Sequence, residues 1–111
     1  VDGGLLDNVP SAVVRDMGAE VVLAVNLSGD RVKSRPPENL LDVLIYSLEV
    51  IIHGQGLTGT AAADVAVVPD LAGFSYRHLG RLEEMVGRGE AALRAALPAL
   101  RRRLRRGRPR D

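Results

Sequence analysis

Apolar positions along the chain fall into two spacings, and these predict alternating helices and strands. From Pro10 to Met17, Val13, Val14 and Met17 share one face of a short helix, with Gly18 placed to end it. Val21-Val22-Leu23-Ala24-Val25-Asn26-Leu27 is a continuous apolar run of β-branched character, the pattern of a buried parallel strand. Ser28 to Pro37 is polar and contains proline, which predicts a loop. Asn39 to Ile52 has helical spacing: Leu40, Leu41, Leu44, Ile45, Leu48, Ile51 and Ile52 on one face, Asn39, Asp42, Tyr46, Glu49 and His53 on the other. The Gly-rich stretch from His53 to Thr60 is expected to break that helix. Asp64-Val65-Ala66-Val67-Val68 predicts a second strand, stopped by Pro69. Strand, helix, strand in that order is a βαβ unit with a right-handed crossover. Leu71 to Leu79 is a loop carrying Phe74 and Tyr76. A second long helix is expected from Gly80 to about Leu104, with Leu82, Met85, Val86, Leu93, Leu97, Leu100 and Leu104 as its apolar stripe. Pairs Glu84–Arg88 and Glu90–Arg94 should support it, and Pro98 should kink or restart it.

The 111 residues fit one domain, and an apolar content of 46% with 26% charged residues suits a globular chain rather than a disordered one. There is no cysteine, so neither a disulfide framework nor a thiolate metal site is available; a cytoplasmic location is compatible with this. No apolar run reads as a membrane span and no signal-peptide pattern is evident. The net charge of +1 hides an asymmetry. Residues 101–111 hold seven arginines and one aspartate, net +6, whereas residues 1–100 carry net −5. The expected organisation is therefore a mildly acidic domain over 1–100 and a basic Arg-rich tail over 101–111.

The candidate chemistry lies at the N-terminus, in Val1-Asp2-Gly3-Gly4-Leu5-Leu6-Asp7-Asn8-Val9-Pro10. A carboxylate before two glycines suits a tight turn that fixes a base, with Gly3 and Gly4 free to take positive φ. Asn8 is expected to cap the following helix, and Pro10 suits its first turn.

This stretch resembles the patatin-like phospholipase family, in which an Asp-Gly-Gly or Asp-Gly-Ala turn carries the base of a Ser-Asp dyad shortly before an Asn-x-Pro helix start. Three further segments carry the resemblance. Ala19-Glu20-Val21-Val22-Leu23-Ala24-Val25-Asn26 is similar to the family's Gly-Ala-Asp-x-Val-Ile-Ala-Val strand. Ala63-Asp64-Val65-Ala66-Val67-Val68-Pro69-Asp70-Leu71 is similar to its Ala-Asp-Val-x-Ile-x-Pro strand. Phe74 with the helix holding Glu83, Glu84, Gly89 and Ala91 is similar to its closing element. The resemblance covers Asp2 to about Leu97. It implies an α/β, three-layer patatin-like fold, here a C-terminal fragment with a βαβ unit and a long C-terminal helix.

The implied activity is hydrolysis of phospholipid or related carboxylic esters, with Asp2 as proton acceptor and Gly3 and Gly4 as the turn. No metal or organic cofactor is implied. The implied partners are a lipid or ester substrate and the missing N-terminal part of the domain. The chemistry needs a Ser in Gly-x-Ser-x-Gly and a Gly-rich loop for the oxyanion. None of Ser11, Ser28, Ser34, Ser47 and Ser75 sits in that motif; Ser75 has Gly73 before it but Arg77 where the second glycine belongs. The chain alone is therefore expected to be inactive.

Other signals have plainer readings. Gly54-Gln55-Gly56-Leu57-Thr58-Gly59 spells a dinucleotide fingerprint, but it follows a helix and precedes a strand, the reverse of the required context. His53 is expected to be solvated, and His78 has no partners at metal-ligand spacing. Phe74 and Tyr76 suit core or loop packing better than an acyl pocket. The alternative to a hydrolase fragment is an inactive interaction remnant whose Arg tail binds anionic membrane, as a peripheral contact, or nucleic acid.

Overall fold

In a computed structural model, residues 3–29, 36–74 and 79–106 are described. The chain is mixed α/β. A 3-10 turn (Gly3–Leu5) leads into α1 (Ser11–Asp16), β1 (Leu23–Val25), α2 (Leu40–Ala62), β2 (Val65–Val67), a second 3-10 turn (Leu79–Arg81) and α3 (Leu82–Arg106). The two strands pair in parallel, with Leu23 opposite Val65, Ala24 opposite Ala66 and Val25 opposite Val67. The βαβ order read from the hydrophobic pattern is therefore present. Both strands are shorter than their apolar runs, although the ladder bonds continue past them: Asn26 N–H donates to the Val67 carbonyl (2.9 Å), and Asp64 N–H donates to the Val22 carbonyl (2.9 Å).

α2 departs most from expectation. It runs unbroken through the Gly-rich segment instead of ending at Ile52. Its start is fixed by Asn39, whose Oδ1 accepts from Asp42 N–H (2.8 Å), while Asp42 Oδ2 accepts from Glu38 N–H (3.1 Å). Glycine in a helix interior is tolerated where a neighbour must come close, and two of the glycines serve that purpose. Gly56 and Gly59 are buried. A Cβ on Gly56 would lie 3.0 Å from the Asn26 amide nitrogen, and one on Gly59 would collide with the Val9 carbonyl and Cβ. The segment is a close-packing face, not a helix stop.

The amphipathic reading of α2 is also corrected. Leu40, Leu41, Leu44, Ile45, Leu48 and Ile51 are exposed, as are Val43 and Val50 on other sides of the helix. Asp42, Tyr46, Glu49 and His53, read as the solvent face, are half-buried. A broad exposed apolar face belongs in a core or in lipid rather than at a water-facing surface. By length and composition α2 could cross a bilayer, a property not foreseen from the sequence. Its C-terminal half, however, is occupied by the contacts of Gly56 and Gly59.

α1 shows the same inversion. Gly18 terminates it with φ +100° as expected, but Val13, Val14 and Met17 point outward, Met17 being 82% exposed. Asn8 does not cap it; the residue at the cap position is Pro10, and no side chain bonds to the first turn. The buried apolar core of the described residues is Val9, Val22, Ala24, Val65, Val67 and Phe74. Phe74 is thus a core residue, and the Arg81 guanidinium stacks 4.3 Å from its ring centroid.

α3 continues through Pro98, which neither ends nor restarts it. It passes the boundary expected at residue 100, so Arg101–Arg106 are helical. Acidic residues fill its first turn and basic residues its last, complementing the helix dipole. The expected pairs are present, Glu90–Arg94 at 2.6 Å and Glu84–Arg88 at 3.9 Å. Two longer-range pairs hold α3 to the sheet: Arg88–Asp70 (3.2 Å) beyond the C-terminal end of β2, and Arg103–Asp64 (2.6 Å) before its N-terminal end. α3 is therefore antiparallel to β2.

Asp64 is the charge centre of the strands' N-terminal end. Its carboxylate is only 6% exposed, and it accepts from Val22 N–H (2.9 Å), Arg15 (2.7 Å) and Arg103 (2.8 Å). The Val22 N–H bond foremost, then Arg15, with Arg103 adding to both, holds its pKa well below the usual carboxylate range.

Two predictions follow from this packing. Gly59→Ala should destabilise the chain by about 1–3 kcal/mol or more through overpacking. Gly54→Ala faces open space and should stabilise it by roughly 0.5–1 kcal/mol through helix propensity. Urea denaturation followed by circular dichroism measures both. For Asp64, a depressed folded-state pKa means its stabilising effect is complete above the unfolded value, about 3.9, and is lost as pH falls below it. Denaturation midpoints of wild type and Asp64→Asn should therefore differ near neutral pH and converge on acidification; a constant difference would contradict this assignment.

Candidate functional site

Asp2, the residue expected to act as base, lies outside the described residues, as do Ser75, Tyr76 and His78. The turn that follows Asp2 is described. Gly3 and Gly4 sit in the 3-10 turn rather than at positive φ. The Gly3 carbonyl accepts from Leu6 N–H (3.1 Å) and Asp7 N–H (2.9 Å), folding the backbone back on itself immediately after Asp2. The glycines here supply compactness instead of left-handed geometry.

The exit of this turn is tied to the sheet by side chains. Asn8 Nδ2 donates to Ser28 Oγ (3.1 Å). Ser28 N–H donates to Asn26 Oδ1 (3.0 Å), and Asn26 Nδ2 donates to Thr60 Oγ1 (3.2 Å) on α2. Asn26 is 2% exposed, and its amide lies flat against Gly56. A buried polar side chain must be hydrogen-bonded to avoid a desolvation penalty, and Asn26 uses both ends of its amide. The relay Asn8–Ser28–Asn26–Thr60 thus ties the exit of the Gly3–Leu5 turn to the C-terminal end of β1. In open parallel α/β sheets, ligands bind in crevices at that end of the strands.

A cleft of about 430 Å³ opens between this turn and α2. Leu6, Asp7, Val9, Val50, Gly54 and Thr58 are among the residues that line it, so its walls mix apolar and polar groups. A second groove of about 370 Å³ lies beside β1, lined by Pro10, Ser11, Val14 and the strand itself. His53, expected to be solvated, is half-buried instead, and its Nδ1 is enclosed without a hydrogen-bond partner among the described residues. No cluster of metal-ligating side chains occurs among the described residues.

Asn26, Ser28, Thr60, Gly56 and Gly59 are the site-forming residues that sequence reasoning missed. Two signals were available: a lone Asn closing an otherwise apolar strand, and two glycines three apart on one helix face.

The fold and site define a mixed α/β chain with a parallel strand pair and a turn pinned at the strands' C-terminal end. A scan against protein-family models finds no match for the chain.

Asn26→Ala should cost about 1–3 kcal/mol, because it leaves the Ser28 N–H and the Thr60 hydroxyl without their buried partner. Amide hydrogen exchange should rise at residues 3–8 as well as around Ser28. Faster exchange confined to β1 would show that the relay does not hold the turn.

Proposed function

We propose that the chain is the C-terminal part of a patatin-like serine lipid acyl hydrolase, with a three-layer fold in the complete domain. The observation that carries the reading is the anchoring of the Asp-Gly-Gly turn's exit, through Asn8, at the C-terminal end of a parallel strand. That is where an α/β hydrolase places its catalytic groups. The four sequence segments that resemble the family, in the family's order, support the same reading.

In this mechanism Asp2 accepts the proton of a serine hydroxyl as its oxygen attacks the ester carbonyl. The tetrahedral oxyanion forms against backbone N–H groups, the leaving alcohol departs, and water releases the acyl group. Asp2 is the part of this machinery that the chain supplies. The serine and the oxyanion loop belong to the remainder of the domain. That remainder would pack on the groove beside β1 and over the bare sides of α2.

The test has two arms. The isolated 111-residue chain should show no ester hydrolysis. The native-cell protein that contains this sequence should be labelled by a serine-reactive fluorophosphonate. Asp2→Asn in that protein should lower kcat/KM by roughly 10²–10⁴-fold, the scale of a general base, with an unchanged thermal midpoint. Absence of labelling, or full activity in Asp2→Asn, would sink the reading and favour an inactive interaction module.

A further inference from the structure

The basic segment is not a free arm. Arg101–Arg106 form the last turns of α3, and Arg103 is held against the body by Asp64. With Arg103 turned inward, helical geometry of roughly 100° per residue sets the directions of the others. Arg101, Arg102, Arg105 and Arg106 fall on an arc about 140° wide, with Arg101 and Arg105 nearly opposite Arg103 and Arg106 about 60° from it. All four are exposed, and none makes an ion pair among the described residues. Asp64 is already shared by Arg15 and Arg103. The arc therefore presents four exposed guanidinium groups with no ion-pair partner among the described residues.

An apolar stripe runs along the edge of that arc. Leu93 and Leu104 are 39% and 53% exposed, with Leu97 and Leu100 half-buried behind them. That stripe faces mainly the body, so the arc offers charge rather than an inserting apolar face, and four clustered arginines are the pattern of a polybasic segment that binds anionic headgroups. α3 contains no aromatic residue on which a base could stack, so the surface lacks the usual platform for single-stranded nucleic acid.

We propose that the C-terminal half of α3 is a preformed docking surface for an anionic lipid bilayer. Arg101, Arg102, Arg105 and Arg106 meet the headgroups. Arg103 does not contact lipid; it fixes the helix to the body through Asp64. The surface stands independently of the hydrolase reading.

Cosedimentation of the full chain with vesicles tests this directly. Vesicles of phosphatidylcholine with phosphatidylglycerol should bind the chain at least about tenfold more tightly than phosphatidylcholine alone, given roughly 1 kcal/mol per basic residue at an anionic surface. Binding should weaken steeply with salt. Replacing Arg101, Arg102, Arg105 and Arg106 together by Gln should reduce it to the neutral-vesicle level, whereas replacing all four by Lys should retain most of it. Arg94→Gln, which removes an arginine already paired with Glu90, should leave it unchanged. Equal partitioning of the wild-type chain into the two vesicle types would overturn the proposal without reference to any variant. Tighter binding to a DNA oligonucleotide than to anionic vesicles would overturn it in favour of a nucleic-acid surface.

Discussion

α2 crosses the loop at Val9 so closely that residue 59 has no room for a side chain beyond hydrogen. Much of the structure depends on that approach. It brings Thr60 within hydrogen-bonding distance of Asn26 and places Gly56 flat against the Asn26 amide. Asn26 can then be buried at the end of β1, because both ends of its amide find partners. Ser28 is held by Asn26, and Asn8 by Ser28, so the exit of the Gly3–Leu5 turn is positioned by a chain of contacts that begins at a glycine in a helix. Any Cβ at that point would push α2 from the sheet and strain each later contact.

How much of this was legible in the sequence depends on what each residue contacts. The two strands and the two long helices could be read because their apolar periods are strong. The Glu90–Arg94 pair is local and fixed by helix spacing. Residues 53–60 were misread because glycine's low helix propensity, about 1 kcal/mol per residue, is a local quantity. The compensating contacts with Val9 and Asn26 are remote in sequence. Asn8 satisfies the rules for a helix cap, yet its amide reaches Ser28, twenty residues away. Asp2 could be singled out only through its neighbours and its resemblance to a family turn; the relay behind it leaves no local pattern.

The exposed surfaces form one physical group. A parallel pair of strands is stable when both faces are covered, and here Leu23 and Val25 are open on β1. α2 leaves most of its apolar residues exposed and is covered over part of its length. α1 turns Val13, Val14 and Met17 away from the small core. Each of these elements behaves as though its predicted inner face were waiting for a neighbour. The half-buried charged and polar residues of α2 lie toward the body, while the buried Gly59 and half-buried Ile52 show that one edge of the apolar face packs inward as well.

The polarity of the molecule links its two functional proposals. α3 is antiparallel to β2 and is tied to it at two points, by Arg88 to Asp70 and by Arg103 to Asp64. The Arg103 tie lies at the N-terminal end of the strands, and the exit of the Gly3–Leu5 turn is held at the C-terminal end. An arginine arc on a free arm would have no fixed relation to that turn, whereas an arc on a docked helix has one. Asp64 is what makes the geometry definite, because it fixes the rotation of α3 about its axis and so decides which arginines face outward.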